Sequence, residues 1–154
     1  MPEIRPVTKD NWRELINLQV RDDQKGFVAS NVKSIAESQF GFDEPEHGHW
    51  DFHPFGIYAD EPVGFLMYGY NFGHPDQQAF IVRLMVDEKF QGKGYGRFGM
   101  QKMLEIFRAD ARIRAVGISY EPENDLARKL YASLGFVEPG EMLGEEVLAV
   151  LKLR

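Results

Sequence analysis

A glycine-rich segment in the second half of the chain carries the clearest chemical signal. Residues 86–97 read Val-Asp-Glu-Lys-Phe-Gln-Gly-Lys-Gly-Tyr-Gly-Arg, and a predicted strand over Ala79–Val86 leads into them. Glycines let a backbone approach an anion closely, and the first amides of a helix that opens after Gly96 have no partner within the helix. Lys93 and Arg97 add positive charge at the rim. The segment therefore predicts a phosphate-binding turn, with a tight turn that holds no ligand as the alternative.

Two familiar nucleotide motifs do not fit this turn. The P-loop pattern G-x-x-x-x-G-K-[ST] is missing from residues 86–97. A dinucleotide fingerprint belongs to the first strand–helix–strand unit and has an acid about 20 residues further on. Asp110 lies near that distance, but the turn follows four predicted strands instead of the first one. We therefore reject both interpretations.

Two motifs in the right order resemble those of the GNAT family of N-acetyltransferases. The acetyl-CoA motif of that family, [QR]-x-x-G-x-[GA], appears at residues 91–96 as Gln-Gly-Lys-Gly-Tyr-Gly. A second family pattern, N-x-x-A-x-x-L-Y-x-x-x-G-F, is matched at every fixed position by residues 124–136. Within the family the chain is most similar to small bacterial spermine/spermidine (diamine) acetyltransferases. That similarity lies at residues 7–11, 56–58, 63–69 and 140–141.

The resemblance implies that acetyl-CoA is the co-substrate, and it implies where acetyl-CoA binds. Leu84, Met85 and Val86 would offer backbone groups to the pantetheine arm and to the thioester carbonyl, or simply form a buried strand. A backbone N–H aimed at the thioester oxygen would act as an oxyanion hole. Asn124 would bind the cofactor and also cap the helix that follows it. The pyrophosphate would lie mainly on main-chain N–H groups of the turn: Gln91, Gly92, Lys93, Gly94, Tyr95, Gly96 and Arg97.

Tyr131, which is the tyrosine of the second motif, is the implied catalytic residue. Coenzyme A leaves the reaction as a thiolate, whose pKa is roughly 8.5 by analogy with cysteine. A positioned phenol, with an ordinary pKa of about 10, can deliver a proton to the departing sulfur. A tyrosine on a helix more commonly packs its ring in the core, which is the alternative here, but the motif match favours the catalytic role.

The acceptor amine must be neutral to attack, so a carboxylate or an ordered water has to take its proton. Glu37 is the candidate, because the second predicted helix borders the acceptor cleft in the family, and a solvated surface glutamate is the alternative. Trp50 and Tyr68 are the other candidate substrate residues. Direct attack in a ternary complex, without a covalent acyl-enzyme, is the implied mechanism.

Two observations bear on the identity of the acceptor: the family resemblance and the acidic excess of the first 80 residues. Both favour a small cationic amine, with spermidine or spermine first. An amino acid, an aminoglycoside or a protein amine is the alternative, signalled by the loss of an acid at Ala29 or Val82. A non-catalytic sensor that binds acetyl-CoA without turnover is the rival from another class of protein.

Residues 40–55 have an irregular pattern and predict a loop. Its part 43–53 holds three of the four histidines among four acidic residues. This spacing matches no standard metal signature, so no metal is expected. A flexible lip of the substrate cleft, with Trp50 and Phe52 over apolar surface, and a plain surface loop are the two interpretations.

The elements that must position these residues form an α/β pattern in the order β-α-α-β-β-β-α-β-α-β-β. Strands are predicted over residues 4–7, 55–59, 63–70, 79–86, 115–120, 136–137 and 147–153. Helices are predicted after Thr8 through Val20, after Ser30 through Ala36, over 97–111 and over 126–134, where Gly135 ends the last one. The resemblance implies one mixed, mostly antiparallel sheet of about seven strands flanked by about four helices, in a single domain of residues 1–154.

Composition and charge limit the partners of this 154-residue chain. Its apolar fraction of 44% supports a core, and no apolar run is long enough to span a membrane. The first 80 residues carry 13 acids and 6 bases, and residues 81–154 carry 11 and 12, so no clustered basic face for nucleic acid is expected. The absence of cysteine excludes disulfides, thiolate zinc sites and a cysteine nucleophile. We expect a cytoplasmic enzyme with a small-molecule partner. The resemblance also allows a homodimer, since family members are frequently dimers, but no residue pattern fixes an interface.

Overall fold

A computed structural model, which describes residues 1–154, shows one mixed sheet of eight strands with four α-helices. The strands are β1 (Glu3–Pro6), β2 (Phe42–Glu44), β3 (Gly48–Tyr58), β4 (Pro62–Tyr70), β5 (Ala79–Val86), β6 (Ala115–Tyr120), β7 (Met142–Leu143) and β8 (Glu146–Lys152). The helices are α1 (Trp12–Ile16), α2 (Asn31–Ser38), α3 (Tyr95–Arg108) and α4 (Asp125–Ser133). The predicted fold class is confirmed.

The strand order explains how the sheet brings distant parts of the chain together. The order is β1-β3-β4-β5-β6-β8-β7, and β2 pairs with β3 beside this path. All pairings are antiparallel except that of β5 with β6, which is parallel. A parallel pair needs a crossover connection, and here it is provided by α3. Both predicted motifs therefore lie at the two strands in the centre of the sheet.

Strand β4 is buried on both faces, so the sheet separates two apolar layers. Phe65 and Met67 belong to one cluster, against which residues of the segment between α1 and α2 and Ile35 of α2 pack. Leu66 and Tyr68 belong to the larger cluster, whose helix side chains come from α3 and α4. Alternate residues of a strand point to opposite faces, which accounts for this division.

The pairing between β5 and β6 is short, and this creates an opening in the middle of the sheet. Only Ala79–Ile81 of β5 pairs with β6. The register between β4 and β5 shifts at Met67/Tyr68, whose partners are Arg83 and Ile81, so Val82 is the extra residue of a β-bulge. A bulge bends its strand and increases the local twist. From Val82 onward, β5 therefore has a free edge on the side facing β6.

The first predicted helix is longer than the observed one. The structure ends α1 at Ile16, so Val20 is buried outside the helix. Long-range hydrogen bonds hold the chain after the helix, because the Gln19 amide donates to Asp87 Oδ2 (2.9 Å) and the Glu88 amide donates to the Gln19 carbonyl (2.8 Å). These bonds replace the local ones that would have continued the helix.

The prediction of a loop over residues 40–55 is wrong. The segment forms β2 and the first half of β3, a two-stranded ribbon in which Phe42 pairs with Trp50 and Asp43 with His49. The turn between the two strands ends at Gly48, whose φ of 90° only glycine adopts readily. Charged and aromatic cross-strand pairs stabilise the ribbon. The Gly, Pro and His content of the segment does not reveal these pairs.

At the end of the chain, the predicted strand pair of residues 136–137 with 147–153 is only partly correct. Val137 makes a single bridge to Val150, whereas the strand that pairs with the start of β8 is β7. The fourth helix and its end are as predicted, since α4 stops at Ser133 and Gly135 has a φ of 98°. None of the helices has the length and apolar content needed to cross a bilayer.

Candidate active site

A cavity of about 1210 Å³ lies where β5 and β6 separate. Residues 80–86 of β5 all line it, and since alternate side chains point to opposite faces, the cavity reaches both faces of the sheet. The starts of α3 and α4 form its wall on one face, and the segment 20–29 between α1 and α2 forms part of its wall on the other. Two ligands that enter from opposite faces can therefore meet at the free edge of β5.

The glycine-rich turn at one end of the cavity has the geometry of an anion site. Gly92 and Gly94 have φ values of 79° and 87°, and Gly94 is the N-cap of α3. The first helical bond runs from the Phe98 amide to the Gly94 carbonyl (3.0 Å), so the amides of residues 95–97 have no partner. A Cβ placed on Gly94 would meet no atom within 4 Å, which leaves the approach to these amides open. Free amides and the positive end of the helix dipole together favour a phosphate group.

Positive side chains surround this turn. Arg97 lines the cavity and its Nη2 donates to Ser133 Oγ (2.9 Å). Lys93 lies outside the cavity wall, with its ammonium 5.7 Å from the centre of the Phe90 ring. Lys129 of α4 also lines the cavity, and sequence reasoning had not selected it. The cofactor motif alone does not reveal this lysine, because it belongs to a helix that the fold brings beside the turn.

The Gln91 side chain braces the turn from inside. Its Nε2 donates to the Val86 carbonyl (3.0 Å) and to Gln24 Oε1 (2.8 Å), while Gln24 Nε2 donates back to Gln91 Oε1 (3.3 Å). Gln24 ends a short 3₁₀ turn, Asp22–Gln24, on the other wall of the cavity. Because the Gln91 side chain is occupied in this way, an anion at the turn would have to use main-chain N–H groups.

The structure brings the remaining predicted cofactor residues to the same cavity. Leu84, Met85 and Val86 line it along the free edge of β5, and Asn124 lines it at the start of α4. Asn124 is also the N-cap of α4, since its Oδ1 accepts from the Ala127 amide (3.3 Å).

Tyr131 lies on the wall of the cavity that the free edge of β5 also lines. The residue is only 9% exposed, and its hydroxyl makes no hydrogen bond within the chain. Burial raises the pKa of Tyr131 to about 12, and the negative charge of Glu146 contributes to this rise. The phenol therefore keeps its proton at neutral pH and is free to donate it to a group in the cavity.

Ser119 and Glu146 are two cavity residues that the sequence analysis missed. Ser119 is on β6 and Glu146 begins the neighbouring strand β8, and the serine hydroxyl donates to Glu146 Oε1 (2.6 Å). Both residues line the cavity together with Tyr131. The only sequence signal is a carboxylate at the start of an apolar strand, which is common at strand ends and identifies no site.

The three predicted acceptor residues are not on the cavity wall. Glu37 Oε1 contacts Arg83 Nη2 (3.4 Å) and Lys33 Nζ (4.0 Å), so its carboxylate is paired with cations. Tyr68 is buried in the layer under α3, and burial raises the pKa of its phenol. Trp50 is 6% exposed and its Nε1 donates to Glu44 Oε2 (2.8 Å). The ribbon and the core therefore hold these rings in structural roles.

The charges on the cavity wall are mostly positive. The basic side chains are Arg21, Lys33, Arg83, Arg97 and Lys129, and the acidic ones are Glu88 and Glu146. On the side of α2, the two cations Lys33 and Arg83 share the single carboxylate of Glu37. The Nε of Arg83 is buried without a hydrogen-bond partner, so this guanidinium has a donor to offer.

One cluster outside the cavity has the composition of a metal site. The ligand atoms of Glu44, His47 and His74 all lie within 4.8 Å of one another. However, Nδ1 of His74 accepts from the amides of Asp76 and Gln77 (both 3.1 Å), which places the proton of the neutral ring on Nε2, facing Glu44. A metal on Nε2 would force the proton to Nδ1 and break both bonds. The hydrogen bonds of His74 therefore oppose metal binding by this cluster, and Glu44 instead accepts from Trp50 of the ribbon.

Three comparisons place this architecture among known proteins. Residues 12–136 match the family described as the acetyltransferase (GNAT) family. A spermine/spermidine N(1)-acetyltransferase of Bacillus subtilis is 26% identical over 152 residues, which covers 94% of this chain and 95% of the relative. Two solved structures are 16% identical, and each comparison covers 99% of this chain and 95% of the other. They are a spermidine N-acetyltransferase from Vibrio cholerae in complex with CoA and spermine (TM-score 0.72) and an aminoglycoside acetyltransferase in complex with coenzyme A (TM-score 0.75).

Proposed function

The chain belongs to the acetyltransferase (GNAT) family, and from this premise we propose that it transfers the acetyl group of acetyl-CoA to a primary amine of a small cationic acceptor. One observation carries the proposal. A single cavity joins an anion-binding turn, the free edge of β5 and a protonated phenol. These are the three groups that a thioester with a pyrophosphate at its far end requires.

The cofactor would bind along the face of the sheet that carries α3 and α4. The free amides of residues 95–97 receive the pyrophosphate, and Arg97 and Lys129 supply positive charge beside it. The free edge of β5 at residues 84–86 offers amides and carbonyls to the pantetheine arm, as an added strand would use them. A β5 amide that points at the thioester oxygen would stabilise the charge that develops there.

Tyr131 would act as the general acid. Its hydroxyl has no partner within the chain, so no internal hydrogen bond has to break before it reaches the sulfur. The raised pKa keeps the phenol protonated through the neutral range, which an acid needs and a base does not. Attack by the amine from the other face of the sheet agrees with direct transfer in a ternary complex.

Spermidine or spermine is the first acceptor to test. The relative from Bacillus subtilis that is 26% identical over most of the chain is a spermine/spermidine N(1)-acetyltransferase. The acidic excess of the first half of the chain also favours a cation at long range, whereas the side chains on the cavity wall near α2 are basic.

An acceptor that carries an anionic group beside its amine, such as an amino acid, is the second candidate. It is favoured by the cations Lys33 and Arg83 on the wall near α2, where Ala29 and Val82 supply no charge to balance them.

The decisive experiment measures release of free thiol from acetyl-CoA with a panel of amines. The panel contains putrescine, spermidine, spermine, lysine, an acidic amino acid, an aminoglycoside and a short peptide. We expect saturable release with spermidine or spermine. Release with amino acids alone would replace the acceptor by the second candidate. If coenzyme A binds but no amine gives release, the protein is a sensor of the cofactor and the proposal fails.

A further inference from the structure

We propose that Glu146 takes the proton that the acceptor amine must lose, and that Ser119 is the positioning residue that orients the Glu146 carboxylate for this step. The inference rests on the proposed acetyl transfer. It assigns a residue to the removal of the amine proton, a step for which Glu37 is placed unfavourably. The Glu37 carboxylate is paired with Arg83 and Lys33 and does not reach the cavity wall.

The cavity contains few carboxylates, so the choice is narrow. Only Glu88 and Glu146 line it. Glu88 follows the end of β5 on the way to the glycine-rich turn, is exposed, and has its amide tied to the Gln19 carbonyl. Glu146 lies with Ser119 on the sheet face opposite to the layer that holds Tyr131, and its negative charge acts on the phenol. An acid and a base that line one cavity from opposite faces of the sheet are the arrangement that proton transfer between two ligands needs.

The surroundings of Glu146 leave one carboxylate oxygen available. Ser119 donates to Oε1 across the β6–β8 pair, and no lysine, arginine or histidine is within ion-pair distance of the carboxylate. Arg128 of α4 is paired with Glu138, which also accepts from the Tyr120 hydroxyl. An ammonium group in the cavity therefore has Glu146 as its local anionic partner, through Oε2.

The proton balance of the step is complete without another reactant. Glu146 accepts one proton from the acceptor ammonium and releases it to solvent, which frees the nitrogen lone pair. The nitrogen–carbon bond then forms and the carbon–sulfur bond breaks, while Tyr131 gives its phenolic proton to the sulfur. The phenolate takes the second proton from the nitrogen, and the third stays on the amide. The products are the N-acetyl amide, the free thiol and one proton.

Glu146→Gln tests the proposal, because it keeps the shape and the hydrogen bond to Ser119 but cannot accept a proton. We expect kcat/KM for the best amine to fall about 10²- to 10⁴-fold, with the Kd of coenzyme A unchanged. We also expect a change of pH profile. The residual rate should rise about tenfold per pH unit up to the pKa of the amine, because only amine that is already neutral can react. Glu145→Gln, at the exposed neighbour, is the matched control and should keep wild-type values.

Ser119→Ala provides the second variant. It should lower kcat more than it changes KM, and Ser119→Thr should restore part of the loss because the hydroxyl returns. The proposal is overturned if Glu146→Gln keeps the wild-type rate, or if its rate falls while the wild-type pH profile is retained. Failure of the proposed function looks different, since the wild-type protein itself would then acetylate no amine.

Discussion

Gly94→Ala should separate two properties of the glycine-rich turn: its left-handed backbone conformation and the open approach to its free amides. The residue has a φ of 87°, and a Cβ there would meet no atom within 4 Å. Steric overlap within the free protein is therefore not the cost of the substitution. The cost comes from the left-handed conformation, about 1–2 kcal/mol for an L-residue, partly offset by the lower entropy of the unfolded chain. We expect a loss of about 1 kcal/mol in the free energy of unfolding.

The matched control is Gly140→Ala. Gly140 has a φ of 95° and an equally open surrounding, but it does not line the cavity. Its substitution should cost the same free energy of unfolding, since the conformational penalty is the same. Both variants should thus melt about 2–4 °C below the wild type, a difference that differential scanning calorimetry resolves.

Binding of coenzyme A should distinguish the two variants. At residue 94 the new methyl group occupies the approach to the free amides of residues 95–97. Loss of one hydrogen bond to a charged phosphate is worth about 1.5–3 kcal/mol, which is roughly a 10- to 150-fold weaker Kd. Isothermal titration calorimetry should show this loss for Gly94→Ala and none for Gly140→Ala. Acetyl-pantetheine, which has no pyrophosphate, should bind both alike.

The reasoning is refuted if Gly94→Ala binds coenzyme A as tightly as the wild type. It is refuted equally if Gly140→Ala loses the same affinity, because the effect would then come from the fold and not from the turn. Loss of acetyl-pantetheine binding in Gly94→Ala alone would show that the turn contacts the pantetheine arm instead.

Three further predictions follow from single contacts. Arg97→Glu should weaken coenzyme A binding in calorimetry at low salt, with a smaller loss at high salt because exposed charges are screened; equal affinity would contradict the phosphate assignment. The pKa of Tyr131, about 12, exceeds the value near 10 in the unfolded chain, so the contribution of its neutral phenol to stability is complete below pH 10 and is lost as pH rises toward 12. Urea unfolding should therefore show that the free energy of unfolding declines less over this range in Tyr131→Phe than in the wild type. Gly99→Leu should lower the free energy of unfolding by about 1–3 kcal/mol through overpacking, since a Cβ there already lies 3.0 Å from Ile57 and 3.2 Å from Leu84. The thermal midpoint should fall with it, and an unchanged midpoint would contradict that packing.

The elements that carry the family motifs could be predicted from the sequence. The bounds of β5 and β6 are as predicted, because both are short apolar runs between polar turns. The two glycines of the turn and Asn124 lie where the motif spacing requires, since local backbone geometry and helix capping determine those positions. Local rules were sufficient for these parts of the site.

The parts that depend on distant contacts could not be predicted. The early end of α1 results from bonds between Gln19 and residues 87–88, which no local pattern reveals. Glu146 reaches the cavity only because β8 pairs with β6, beside Ser119. Trp50 belongs to a ribbon whose stability comes from cross-strand pairs, and an aromatic residue in a polar segment carries no local sign of such pairing.

The reciprocal amide pair between Gln24 and Gln91 has a consequence for the order of events in the catalytic cycle. It ties the segment after α1 on one wall of the cavity to the glycine-rich turn on the other. A ligand that broke this pair from one wall would remove hydrogen bonds from the other, so any coupling of two ligands through the pair would act equally in both directions. Since neither side chain carries a charge, this coupling neither titrates nor weakens with salt. Synergy between the two substrates would therefore persist across conditions that alter each separate affinity.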